Sequence, residues 1–179
     1  MILGADLWHD VPTGARAPSV VYAIVEIPRG HRNKYEYSKN LGAIQLSRVL
    51  FSPMHYPGDY GFIPQTCATD NDPLDILVMV TEPTFPGCVI ESRAIGVFRM
   101  TDGGEDDEKI LAVPDADPLF GQYKSIRDVP PHFLTEVSHF FQTYKQLEGT
   151  IVRAVGWEDA EAAHEIIRGA MRDYRRRYC

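Results

Sequence analysis

The sequence predicts an α+β protein, a small, mainly antiparallel β-barrel with helices packed outside it. Two observations carry this. Short apolar, β-branched runs separated by Gly, Pro and Asn fill the chain from Val20 to Val113. Apolar residues at helical spacing dominate two later segments, one opening at Pro131 and one at Glu158. With 179 residues, of which 44% are hydrophobic, one domain spanning 1–179 with a sizeable core is expected, not a disordered chain.

Residues 1–18 are mixed and Pro-containing and read as a short helix or an arm over the surface. Val20–Ile27 is a strand ended by Pro28-Arg29-Gly30, with Glu26 as an acid inside a β-branched run. Lys34-Tyr35-Glu36-Tyr37 alternates, so Lys34 and Glu36 share one face. A hairpin through Lys39-Asn40-Leu41-Gly42 leads to a strand over Ala43–Leu50 that contains Arg48. Met54–Pro64 is rich in aromatics, Gly and Pro and cannot be a helix. Its tyrosines, Tyr56 and Tyr60, need partners for their phenols if buried.

Next comes Asp70-Asn71-Asp72-Pro73-Leu74-Asp75, three carboxylates within six residues. Asn71 favours a turn and Pro73 stiffens it. The apolar run Ile76–Val80 follows as a buried strand, which puts the acids at its mouth. Two unit charges ~4 Å apart repel by about 4 kcal/mol at an effective dielectric of 20. Water or a cation must offset that, and a hard divalent cation with oxygen ligands suits such a set. An EF-hand is excluded, since its sixth and twelfth positions would be Asp75 and Thr81 instead of Gly and Glu. An aspartyl-phosphate nucleophile is expected at a strand's end, and here the strand comes after the acids.

Thr81–Gly87 is a loop, and Val89–Arg93 and Ala94–Met100 read as strand, either two strands or one long bent one. Residues 101–109 read as a second acidic loop, with five acids in the seven positions 102–108. Ile110–Val113 is a strand, and residues 115–130 are loop. The spacing of Phe133, Leu134, Val137, Phe140, Phe141, Tyr144 and Leu147 predicts a helix from Pro131 that Gly149 ends. Ile151–Gly156 is a short strand. Glu158 to Tyr178 is a second helix, with Ala160, Ala163, Ile167, Ala170 and Tyr174 on one side. Its terminal arginines match the helix dipole.

A net charge of −7 argues against general nucleic-acid binding. No apolar stretch approaches a membrane span, and residues 1–20 lack the pattern of a secretory signal. Cys67, Cys88 and Cys179 match no zinc pattern and read as free thiols, which places the chain in a reducing cytoplasm.

Together, acids suited to metal, cations suited to an anion and phenols suited to hydrogen bonding form the kit of phosphoryl transfer. On these motifs the chain resembles the family I soluble inorganic pyrophosphatases of the bacterial type. The turn from Asp70 to Ile76 fits that family's signature. So do Val25–Pro28, Asn33–Glu36, Tyr56-Pro57 with Tyr60–Pro64, Asp107–Lys109, His139–Phe141 with Tyr144-Lys145, and Gly156–Glu158. The match runs in order over roughly residues 20 to 170.

The resemblance implies a five-stranded OB-like barrel, Mg²⁺ dependence, hydrolysis of pyrophosphate to two phosphates, and a homohexamer. It implies Mg²⁺ ligands at Asp70, Asp75, Asp102 and Asp107, with Glu26 acting partly through water. Phosphate oxygens fall to Lys34, Arg48, Tyr60, Lys109, Tyr144 and Lys145, with Glu36 supporting the site. Asp72 is the candidate base for the attacking water and Asp107 its rival. The seven acids named exceed the four bases by three, so a polyanion is repelled until cations bind. Two other readings stand beside this one: an OB-type nucleic-acid-binding or adaptor module, whose aromatics would sit in a basic groove, and a metal phosphohydrolase acting on nucleotides.

Overall fold

The structure is a computed structural model, and it describes residues 6–179. The first five residues of the expected N-terminal arm lie outside that range. The strands are β1 (Val20–Ile27), β2 (Asn33–Ser38), β3 (Ala43–Val49), β4 (Asp59–Phe62), β5 (Asp75–Val78), β6 (Val89–Asp102), β7 (Glu105–Pro114) and β8 (Val152–Asp159). The helices are α1 (Pro131–Thr143) and α2 (Ala160–Tyr178). Strands follow the order β1-β4-β5-β7-β6, and β1 also pairs with β6, which closes five strands into a ring. β8 extends the sheet beyond β6, and β2 pairs with β3 in a separate hairpin.

One pair departs from the antiparallel expectation. β5 and β7 run parallel, with Ile76 opposite Ile110 and Leu77 opposite Leu111. A loop joins β5 to β6, and β6 turns straight back into β7, so β7 shares the direction of β5. Where they pair, over Ile76–Val78 and Ile110–Ala112, both strands are buried on both faces. Leu77, Leu111 and Val113 pack with α1, while Ile76, Val78, Ile110 and Ala112 pack with α2. That is why their sequences are unbroken apolar runs instead of alternating ones.

The expected second acidic loop is a hairpin. β6 runs to Asp102, β7 begins at Glu105, and Gly103 (φ +60°) with Gly104 (φ +96°) forms the two-residue turn. Both positions need positive φ, which glycine supplies without steric cost. Gly61 has a different necessity. A Cβ there would lie 1.8 Å from the carbonyl oxygen of Ile24, so β1 and β4 could not approach.

α1 ends earlier than its periodicity predicts. Tyr144 caps it, Lys145 leaves the helix at φ −99°, ψ 0°, and Gln146–Glu148 forms a 3₁₀ turn closed by left-handed Gly149. Tyr144 is buried against Tyr56 and Phe140, while Lys145 and Glu148 reach outward to Asp102 and Arg48. Those contacts outweigh the helical propensity of the segment. α2 starts at Ala160 instead of Glu158 because β8 runs through to Asp159, whose carboxylate accepts the Ala160 N–H at 2.8 Å. Within the described part of the N-terminal arm, Trp8 is buried against Phe62 and Tyr174.

Candidate active site

A cleft of about 400 Å³ opens at the mouth of the barrel. Nine acidic side chains and four lysines line it, beside Tyr60 and Tyr144. Each predicted site residue except Arg48 is part of this lining. Arg48 stands opposite Lys34 across the β2–β3 hairpin, but its guanidinium pairs with Glu148 at 2.8 Å. The anion Glu148 thereby offsets the repulsion between two cations on facing strands.

Every lysine of the cleft is braced by a carboxylate. Lys34 pairs with Glu36. Lys109, fully enclosed, contacts Asp75 and lies 2.6 Å from Asp107. Lys145 contacts Asp102. Lys39 donates to Asp72 at 2.7 Å. The acidic turn is also ordered internally: Asn71 takes positive φ, and the Asp72 N–H donates to Asp70 Oδ1 at 2.9 Å. Asp75 opens β5, so the strand itself fixes its position.

Glu26 owes its place to a β-bulge. Pairing of β1 with β4 shifts between Val25 and Ile27, leaving Glu26 as the extra residue. The side chain is buried and accepts the Tyr37 N–H at 2.6 Å. Burial pushes its carboxyl up to about 8, and the Asp75 charge adds to that rise. Burial, reinforced by Asp75, also raises Asp107, although Lys109 pulls in the other direction. Burial alone would lower the Lys109 ammonium, but Asp75 and Asp107 outweigh it and raise it. Burial raises Tyr60 and Tyr144 well above the usual phenol range, with Asp75 adding to the rise at Tyr60 and Asp102 at Tyr144. Both therefore stay neutral O–H groups able to donate.

Among the described residues, no three acids or histidines converge into a ready cation cage. Instead Lys109 bridges Asp75 and Asp107, and Lys145 pairs with Asp102. The donor set nonetheless fits a hard divalent cation, being oxygen throughout and in excess over the lysines. Sequence reasoning missed Tyr37, Lys39, Asp106 and Glu108 as cleft residues. Asp106 and Glu108 could have been found from the hairpin, which brings both flanks of Asp107 to the mouth. Lys39 carried only a turn signal.

The inorganic pyrophosphatase family profile matches residues 23–175. The inorganic pyrophosphatase of Haloferax volcanii is 50% identical over 167 residues, covering 93% of this chain and 94% of that one. The inorganic pyrophosphatase of Halalkalibacterium halodurans is 54% identical over 150 residues, covering 84% and 92%. The crystal structure of the inorganic pyrophosphatase from Thermus thermophilus superposes with a TM-score of 0.93 at 45% identity, covering 96% of this chain and 99% of that one. The ring of strands, the acid-and-lysine cleft and these likenesses agree, and the chain belongs to the inorganic pyrophosphatase family, a family of hydrolases.

Proposed function

We propose that this chain hydrolyses inorganic pyrophosphate to two orthophosphates, with Mg²⁺ as its cofactor. The observation that carries the reading is the cleft's composition, nine acids to four lysines, each lysine braced by an acid. Such a surface repels a bare polyanion and accepts one that arrives with divalent cations. The residues that would hold the cations are Asp70, Asp75, Asp102 and Asp107, with Glu26 acting partly through water. When bound, the cations neutralise phosphate charge and make water easier to deprotonate.

The chain's own groups do the rest. Lys34, Lys109 and Lys145 present ammoniums to phosphate oxygens, and Arg48 adds a guanidinium from the hairpin. Tyr60 and Tyr144, kept neutral by burial, donate hydrogen bonds to oxygens on which charge builds. Glu36 holds Lys34 in place. Asp72 orients the attacking water and takes its proton, with Asp107 as the alternative acceptor.

The same reading takes residues 1–179 as one catalytic domain that works in the cytoplasm as a homohexamer. Among the described residues, no helix is long and apolar enough to cross a membrane. Cys67, Cys88 and Cys179 are free, in keeping with a reducing compartment. Phosphate release from pyrophosphate and from ATP, each with and without Mg²⁺, tests the activity. Mg²⁺-dependent release from pyrophosphate is expected, and equal or faster release from ATP would sink the substrate assignment. A monomer in sedimentation at neutral pH would contradict the hexamer.

A further inference from the structure

The β2–β3 hairpin, which carries Lys34 and Glu36, is docked on the arm that precedes β1. Tyr37 Oη donates to Asp6 Oδ1 at 3.0 Å and accepts the Leu7 N–H at 3.2 Å. At the hairpin turn, Lys39 Nζ lies 4.2 Å from the centroid of the Trp8 ring. That ring is fixed, because Trp8 is 2% exposed and its indole N–H donates to the Thr66 carbonyl at 2.8 Å. The same Lys39 ammonium donates to Asp72 at 2.7 Å and reaches the Asn71 carbonyl at 3.4 Å. Lys39 thus sits on an aromatic face, at the cleft wall, with the proposed base as its partner.

Lys39 differs from the other cleft lysines in how lightly it is held. Lys109 is shared between two partly enclosed acids, and Lys145 faces an Asp102 that is 20% exposed. In the Lys39–Asp72 pair the side chains are 46% and 64% exposed, so water competes for both partners and the pair is weak. The Trp8 face attracts the ammonium whichever anion it touches, because that attraction comes from the ring quadrupole. A cation seated this way can change anionic partner without losing its seat. Trp8 also lies ahead of residues 23–175, the span the family profile matches.

We propose that Lys39, seated on Trp8, is a substrate-binding residue that leaves Asp72 for a phosphate oxygen of the incoming pyrophosphate and so frees the Asp72 carboxylate. The proposal rests on the pyrophosphatase reading. It makes the arm part of the site, because Trp8 sets where the Lys39 charge stands. No bond is made or broken in the exchange, and Asp72 regains an acceptor oxygen at the moment substrate is seated.

The test compares wild type, Lys39→Ala, Lys39→Arg and Trp8→Phe in steady-state pyrophosphate hydrolysis with Mg²⁺. Lys39→Ala should raise KM about fivefold or more with kcat within about twofold. Lys39→Arg should recover most of that loss, since it restores the charge. Titration of the Mg²⁺-loaded protein with inorganic phosphate should change tryptophan emission in the wild type, and the change should vanish in Lys39→Ala and in Trp8→Phe. An active wild type with an unchanged KM in Lys39→Ala, no recovery in Lys39→Arg, or an emission change that persists in Lys39→Ala would each overturn the proposal alone. A wild type inactive on pyrophosphate would overturn the functional reading and this inference with it.

Discussion

Asp75 and Lys109 stand side by side because β5 and β7 run parallel in a register that places Ile76 opposite Ile110. Each lies one residue before its paired isoleucine, Asp75 as the first residue of β5 and Lys109 within β7, and both line the cleft. Lys109 is 4% exposed, so its charge depends on Asp75 and Asp107. Asp75→Asn leaves Lys109 its Asp107 partner at 2.6 Å, so the fold should persist, as circular dichroism would show. Turnover should fall by about 10²-fold or more, because the carboxylate best fixed for a cation is gone. A folded variant with substantial turnover at ordinary Mg²⁺ would rule out that role.

Lys145 and Asp102 make the second prediction. The ammonium that should meet a phosphate oxygen spends its time on a carboxylate that should meet a cation. Lys145→Ala should therefore act in two directions. KM for pyrophosphate should rise by about tenfold, as a charge-assisted contact is lost. The Mg²⁺ concentration for half-maximal activity should fall, since Asp102 no longer has a competing ammonium. A paired titration of substrate and metal checks both, and unchanged values would mark Lys145 as a surface lysine.

Glu26 predicts a pH dependence of stability in the chelated protein. Its folded-state value is about 8 against an ordinary 4.5, the cause being burial. Between those values the folded protein keeps a proton that the unfolded chain releases. The stabilising contribution is therefore complete below about pH 4.5 and declines as pH rises through about 8. In EDTA, Tm should drop from pH 6 to pH 9, and Glu26→Gln should flatten the decline. A slope unchanged in Glu26→Gln would assign the effect to another group.

Much of this was legible because local chemistry decided it. The β-branched runs at Val20–Ile27 and Ile76–Val78 are strands, Asn71 and Pro73 make a turn, and the apolar spacing of α2 buries Ala163, Ile167, Ala170 and Tyr174. What escaped depends on pairing between distant segments. The parallel register of β5 with β7 leaves no trace in either strand, since a doubly buried strand reads the same in both directions. The Gly103-Gly104 hairpin hid behind acids that suggest solvation, although two adjacent glycines are a turn signal. α1 stopped short because Tyr144 and Lys145 have tertiary partners that a periodicity cannot see. The pairing of Arg48 with Glu148 has no local signal either, because the two lie 100 residues apart. Trp8 read as part of a surface arm for the same reason, as its seat is built by Thr66 and Tyr174.

Asp72 carries the last prediction, because its surroundings separate it from the other acids of its turn. Asp70 is tied into the turn by the Asp72 N–H, and Asp75 is fixed by β5. Asp72 is 64% exposed, points one oxygen at Lys39, and has no strand to hold it. An acid so placed is poorly built to grip a cation, but it can reach a water lying over the cleft. A carboxylate that orients a water and accepts its proton typically contributes 10²–10⁴-fold. Asp72→Asn preserves the shape and the Asp70 contact, which uses the backbone, and removes the charge that would take the proton and that pairs with Lys39. Turnover should fall within about that range while Mg²⁺ and pyrophosphate affinities stay near normal. Activity should partly return at higher pH, where hydroxide needs no base. Asp107 is the rival acceptor, and Asp107→Asn should differ by weakening metal binding as well, since it is an expected ligand. If Asp72→Asn instead loses Mg²⁺ affinity as severely as Asp75→Asn, then Asp72 is itself a ligand and the proton must go to Asp107.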